Sequence, residues 1–91
     1  MQVRMSPKAA DNLADIVHYI QQDSPDAAQR VAFRTFESAG SLGAQPFSGR
    51  PGRLAGTREL PPPGLPCIVL HRVMAEAVEI ANIIHGAQRW P

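Results

Sequence analysis

Lysine is almost missing from this sequence of 91 residues, because Lys8 is the only lysine among nine cationic side chains. An active site built on lysine is therefore nearly excluded. Sites built on the planar fork of arginine, which suits phosphate and carboxylate, stay open. Nine cations oppose eight acidic residues and leave a net charge of +1, so net charge by itself indicates no polyanionic partner.

Cysteine and long apolar runs are scarce too. Cys67 is the only cysteine, which excludes an internal disulfide, and its apolar neighbours indicate a buried structural thiol. No stretch approaches the ~20 apolar residues of a membrane span, and residues 1–5 lack the apolar region of a signal peptide. We therefore expect a cytoplasmic protein without a membrane partner. The three histidines fall on separate predicted elements with no carboxylate cluster, so we expect no metal and no cofactor.

What the sequence does contain is typical of one small globular domain, residues 1–91, with 44% hydrophobic and 19% charged residues. Two Ser-Pro pairs predict where helices begin, because the serines can cap free amides and proline suits the first helical position. Helical spacing then predicts a helix from about Pro7 to Gln22 and a second from Pro25 to about Gly43, joined as an antiparallel hairpin. The second apolar stripe comprises Ala28, Val31, Ala32, Phe36, Ala39 and Leu42.

Four segments read as strands: 1–5, 57–60, 67–73 and 77–84. Between the helices and the later strands lies a loop, residues 44–56, rich in proline and glycine. The order predicts an α+β fold of the type β-α-α-β-β-β, in which a small antiparallel sheet carries the helical hairpin on one face.

The last two strands should pair as a hairpin, with Val73 opposite Val78 and Arg72 opposite Glu79. Simple alternation places most of the apolar set on one face: Cys67, Val69, His71, Val73, Val78, Ile80 and Ile84. It places Ile68, Leu70, Ala81 and Ile83 on the other. Because two helices can cover only one face, we expect the second face to be an apolar patch that needs a partner.

Three groups of polar residues are candidates for function. They are Arg50, Arg53 and Arg58; His71 with Arg72; and His85 with Arg89 and Trp90. Arginine, histidine and an aromatic residue are a set that could cleave a phosphodiester without metal. The alternative is structural: the loop arginines anchor the loop through ion pairs, Arg72 pairs with Glu79, and His71 is a core or interface histidine.

Several motifs together resemble the ParE/RelE toxin superfamily. They are the opening from Ser6 through Leu13 to Ile20, the second Ser24-Pro25-Asp26, and the loop Pro46-Phe47-Ser48-Gly49-Arg50-Pro51-Gly52. Gly56-Thr57-Arg58-Glu59-Leu60, Leu70-His71-Arg72-Val73 and the tail Ile84-His85-Gly86-Ala87-Gln88-Arg89-Trp90 complete the set. The loop is similar to the ParE branch.

The resemblance implies the toxin of a type II toxin–antitoxin pair, bound by a cognate antitoxin as a heterodimer or heterotetramer. ParE-like members poison DNA gyrase, whereas RelE-like members cleave messenger RNA on the ribosome. RelE-like nucleases typically carry lysines on the strand of Arg58 and an arginine early on the next strand, where this chain has Ile68. Only Arg58, His85 and Arg89 remain as a reduced catalytic set.

We therefore expect a gyrase inhibitor that acts by binding rather than as an enzyme. A ribosome-dependent ribonuclease is the alternative, and a non-toxic module that retains only the antitoxin interface is a third possibility. Residues 49–91 hold five cations and three acidic residues, so the positive excess lies in the later half. Contacts to the antitoxin or the target are expected from Arg50, Arg53, Arg58, His71, Arg72, Arg89 and Trp90, with carboxylates of the antitoxin approaching the arginines.

Overall fold

The computed structural model describes residues 1–85 and contains two helices and five strands. In chain order these are β1 (Gln2–Met5), α1 (Pro7–Gln21), α2 (Pro25–Ser41), β2 (Arg50–Pro51), β3 (Arg58–Leu60), β4 (Cys67–Val73) and β5 (Ala77–His85). The sheet order is β1-β5-β4-β3-β2. The α+β class and the helical hairpin on one face of the sheet are confirmed.

The sheet differs from the expected one at both edges. Neighbouring strands from β2 to β5 are antiparallel, but β1 joins β5 in the parallel direction, so the sheet is mixed. The parallel pairing of β1 with β5 is possible because the helical hairpin, packed on one face of the sheet, connects β1 to the later strands. At the other edge the loop contributes β2, a strand of two residues that the sequence did not predict.

Both helices begin as predicted. Ser6 caps α1 by accepting a hydrogen bond from the Ala9 amide (3.0 Å), and Ser24 caps α2 in the same way through Ala27 (3.2 Å). Pro7 follows the first cap directly and lies in the first turn, where its missing N–H costs nothing.

The core lies between the helices and one face of the sheet. Its buried members are Ala9, Leu13, Ile16, Val31, Ala39, Leu42, Cys67, Val69, Val78, Ile80 and Ile83. The thiol of Cys67 is free and buried, as the sequence predicted, and burial raises its pKa.

The expected α2 stripe was wrong at Phe36, which is 59% exposed. Thr35 occupies the core position instead and is fully buried. Thr35 lies seven residues after Ala28 and four before Ala39, so it falls at the centre of the buried face, and Phe36 is rotated about 100° away from it.

The expected hairpin register holds for Val73 with Val78 and for Arg72 with Glu79, but simple alternation fails further along β5. Ile80 lies opposite His71 and Asn82 opposite Leu70, so Ala81 is an extra residue, a β-bulge. The bulge reverses the assignment of the residues after it. Ile83 packs in the helix-side core, and Ile84 lies on the outer face with Leu70 and Ala81.

The outer face is not the open apolar patch that was expected. Leu70 is 1% exposed, Ile84 5% and Ala81 9%, so this smaller cluster is already buried within the chain. The argument for a partner from a bare apolar sheet face is therefore wrong. Support for a partner has to come from other features of the surface.

Candidate partner-binding surface

The loop between α2 and β3 is attached to the sheet through one buried carboxylate. Glu59 is 1% exposed and pairs with Arg50, its neighbour across the ladder, at 3.2 Å between Nη2 and Oε1. Its other oxygen accepts the Arg53 amide at 2.9 Å and lies 3.8 Å from the Arg53 Nε. Arg50 and Arg53 are thus joined to one carboxylate, as the structural reading of these arginines expected.

These contacts keep Glu59 ionised. The hydrogen bond from the Arg53 amide lowers the pKa of the Glu59 carboxyl, and the two guanidinium groups act in the same direction against the cost of burial. Two arginines thus share one glutamate in this cluster. Because the two arginine side chains are 56% and 47% exposed, a partner can still reach both guanidinium groups.

Two glycines allow the loop to approach the strand this closely. Gly49 has a φ of +87°, and a side chain there would collide with the backbone oxygen of Glu59. Gly52 donates its amide to the Thr57 carbonyl at 2.7 Å, and a Cβ on Gly52 would overlap the Thr57 hydroxyl. The loop geometry therefore requires glycine at both positions.

Arg58 lies on the opposite face of the sheet from Glu59, because adjacent residues of a strand point to opposite sides. Its guanidinium lies 5.9 Å from the ring centroid of Phe47, within the range of a cation–π contact. Its Nη2 donates to the Gly49 carbonyl at 3.1 Å, whereas its Nε is buried and has no hydrogen-bond partner among the described residues.

His71 is the cross-strand neighbour of Arg58 and is fully buried. Its Nε2 lies 3.2 Å from the Pro46 carbonyl, which can only accept, so Nε2 carries the proton. Burial lowers the pKa of His71, and the Arg58 charge acts in the same direction. The expectation that His71 contacts a partner directly does not hold in this structure, because the side chain offers no surface.

Arg72 lies on the outer face beside Glu79, with 3.7 Å between Nη1 and Oε1. Arg4 of β1 is the cross-strand neighbour of Glu79 from the other side. Both partners of the Arg72 pair are about two-fifths exposed, so this ion pair contributes only about 0–1 kcal/mol to stability.

The structure separates the candidate residues into places that the sequence could not distinguish. Arg50 and Arg53 surround Glu59, Arg72 lies on the same outer face, and Arg58 lies on the helix side. His85 ends β5 opposite Cys67. Arg89 and Trp90 lie outside the described residues.

Sequence reasoning missed Glu59 and Phe47 as site residues. The available signal for Glu59 was its position as the only acidic residue between Arg50 and Arg72, within reach of a loop with two arginines. For Phe47, an aromatic in a loop of proline and glycine has no regular core face to join, and here it is 66% exposed.

Within residues 1–85, no three or more histidine, cysteine, aspartate or glutamate side chains gather into a possible metal site. No helix in this part of the chain is long and apolar enough to span a membrane.

Comparison with known proteins identifies the class to which this fold and surface belong. Residues 3–90 match the family described as the ParE toxin of the type II toxin–antitoxin system parDE. The chain belongs to the ParE toxin family, and the protein is the toxin component of a type II toxin–antitoxin system.

Two relatives lie in the same class. A Sinorhizobium fredii protein named "Putative toxin Y4kP" is 40% identical over 89 residues, which span 98% of this chain and 92% of the relative. A solved structure titled "Chromosomal ParDE TA system from P. aeruginosa" is similar with a TM-score of 0.82 and 27% identity. That match covers 93% of this chain and 95% of the other.

Proposed function

We propose that this toxin inhibits DNA gyrase in the cytoplasm by binding to it, and that a cognate antitoxin neutralises the toxin. Membership of the ParE family supports the gyrase target, and similarity to the Pseudomonas ParDE structure supports an antitoxin partner. A binding mechanism needs a complementary surface and no assembled catalytic residues.

The observation that carries the choice of binding over cleavage is the separation of Arg58 from His85. Arg58 pairs with His71 on β4, whereas His85 pairs with Cys67, four residues away along that strand and one strand further across the sheet. Strand spacing puts the two Cα atoms about 16 Å apart. A proton donor and a phosphorane-stabilising group must both lie within hydrogen-bond reach of one phosphate. Both side chains would have to extend toward each other to do so, whereas the Arg58 guanidinium turns to the Gly49 carbonyl and the Phe47 ring.

Ile68 supports the same choice. It packs with Leu70, Ala81 and Ile84 in the apolar outer cluster, at the place where the RelE resemblance implies a cationic residue. An isoleucine there cannot stabilise the charge that develops during phosphodiester cleavage.

For antitoxin binding we propose the surface around the loop and strands β2–β4, with Arg50, Arg53, Arg58 and Arg72 as contacts. Three of these arginines keep between 44% and 56% of the side chain exposed although each is paired with a glutamate. Arg89 and Trp90 remain in the proposed contact set on sequence grounds. Acidic side chains of the antitoxin are the complementary chemistry.

Purified gyrase with added toxin tests the target. We expect loss of supercoiling or accumulation of cleaved DNA at a stoichiometric ratio, and recovery when the antitoxin is present in equal amount. Gyrase that supercoils normally with stoichiometric toxin would refute the inhibitor proposal.

A parallel measurement separates the ribonuclease alternative. After expression of the toxin, primer extension on translated messages should give no new 5′ ends while the cells stop growing. New ends that depend on Arg58 would favour the ribonuclease, and normal growth would favour a module that has lost its toxicity.

A further inference from the structure

A cavity of about 240 Å³ opens beside the loop and is lined by Phe47, Gly56, Thr57, Arg58 and Val73. It lies on the face of the sheet opposite Glu59, at the edge of the fold where β3 begins. The cavity is open to solvent beside Gly56, because a Cβ on that residue would have no neighbour within 4 Å. One wall is the exposed ring of Phe47, and one is the guanidinium of Arg58.

Arg58 differs in one respect from the other candidate arginines on the described strands and loop. Arg50 and Arg53 lie against Glu59, and Arg72 lies against Glu79. Within residues 1–85, Arg58 has no carboxylate within ion-pair distance, and its neighbours are the Gly49 carbonyl and the Phe47 ring. A half-buried guanidinium with unused donors is costly unless an acceptor supplies the missing contacts.

The neighbourhood favours a carboxylate over a nucleic-acid backbone. A phosphodiester chain gains affinity from several unneutralised cations at once. Here the nearby arginines share their charge with Glu59 and Glu79, which leaves Arg58 as an isolated cation beside apolar walls. One negatively charged group of small size is the complementary ligand, and the exposed ring of Phe47 favours an apolar neighbour for it.

We propose that this cavity receives one aspartate or glutamate side chain of the antitoxin, with an apolar residue adjacent to it packing on Phe47. This inference rests on the proposed neutralisation by an antitoxin, and it assigns Arg58 as the toxin residue that contacts the antitoxin carboxylate. The carboxylate accepts from the Arg58 guanidinium. Arg50, Arg53 and Arg72 lie on the other face of the sheet and contribute weaker contacts outside the cavity, because their charges are already paired.

Titration calorimetry of the full-length toxin with its antitoxin tests the cavity. Arg58→Gln should weaken binding at least tenfold and reduce its dependence on salt, because a charge pair inside the interface is lost. Arg58→Lys should recover only part of the affinity, since an ammonium lacks the fork geometry. Arg30→Gln is the matched control: it removes an exposed arginine of α2 that does not line the cavity and should change affinity less than twofold.

A double-mutant cycle then identifies the partner group. One acidic residue of the antitoxin, changed to its amide, should cost about as much as Arg58→Gln, and the two changes together should cost little more than either one. Circular dichroism of each variant verifies that the toxin remains folded.

Three results would overturn the proposal. Arg58→Gln could bind the antitoxin as the wild type does, or no acidic residue could couple to it. Arg58→Gln could also abolish binding of a single-stranded RNA oligonucleotide while sparing the antitoxin, which would assign the cavity to nucleic acid. If the unchanged toxin binds no antitoxin at all, the proposed neutralisation fails as well, so the two failures are distinguishable.

Discussion

A single buried carboxylate organises the loop that carries most of the candidate arginines. Glu59 lies in the middle of a three-residue strand, faces the outer side of the sheet, and has both oxygens occupied by the loop. Burial of an ion is tolerated there because the Arg53 amide and two cations compensate for lost hydration. Arg50 and Arg53 therefore stabilise the folded loop through Glu59, and only the exposed part of each side chain is available to a partner.

Glu59→Gln should destabilise the protein by about 1–3 kcal/mol, because it removes the charge that Arg50 and Arg53 share while preserving shape. Urea unfolding measures the loss. Glu79→Gln is the matched control, since it removes an exposed pair worth about 0–1 kcal/mol. Equal losses in the two variants would contradict the structural role assigned to Glu59.

At the scale of elements, the join between β1, α1 and β5 shows how polar side chains replace a missing strand. Pairing of β1 with β5 stops at Ile80, yet β5 continues to His85. The Ser6 amide donates to the Ile80 carbonyl and the Ser6 hydroxyl to the Ala81 carbonyl, each at 3.0 Å. Asn12 of α1 then accepts the Ile83 amide at 3.2 Å. Ser6 and Asn12 therefore supply hydrogen-bond partners to backbone groups of β5 at and beyond the point where its pairing with β1 stops.

Asn12→Ala should cost about 1–3 kcal/mol, because the amide of buried Ile83 loses its acceptor. Asn12→Asp is the sharp control: both contacts use the side-chain oxygen as an acceptor, which aspartate retains. Thermal unfolding of both variants, with hydrogen exchange at Ile83, measures the effect. Fast exchange in the alanine variant alone is expected, and unchanged exchange there would contradict this reading.

At the scale of the whole molecule, acid should release the loop from the sheet. The loop is attached on one face through Glu59 and on the other through His71 and the Pro46 carbonyl. Burial lowers the pKa of His71 in the folded state, and hydrogen bonding lowers that of Glu59. In each case the unfolded chain binds its proton first, so stability falls as pH falls.

Urea unfolding between pH 8 and pH 5 should show a loss of stability that begins near the unfolded pKa of histidine, about 6.5, and is complete below the lowered folded pKa. The contribution of Glu59 is lost separately, beginning at about pH 4.3 and below. His71→Gln should flatten the upper part of the profile, because glutamine does not titrate. A wild-type profile that stays flat from pH 8 to pH 5 would contradict the buried neutral histidine.

The sequence by itself determined the helices, most strands and the family. Ser6-Pro7 and Ser24-Pro25 encode helix starts through local chemistry, and apolar spacing encodes the buried faces, so no tertiary information was needed. The same is true of the Arg72–Glu79 pair, because a short connection fixes the hairpin register over its first residues.

Only the tertiary structure decided the parallel edge, the bulge and the division of the arginines. The direction of β1 depends on where the helical hairpin returns the chain, and Ala81 gives no local signal that it is an extra residue. Whether an arginine forms an ion pair depends on which carboxylate the fold places within a few ångströms of it, across a turn or on a neighbouring strand. Lysine scarcity had indicated arginine chemistry; the fold decided that three of these arginines are paired and that Arg58 faces a cavity without a carboxylate partner in residues 1–85.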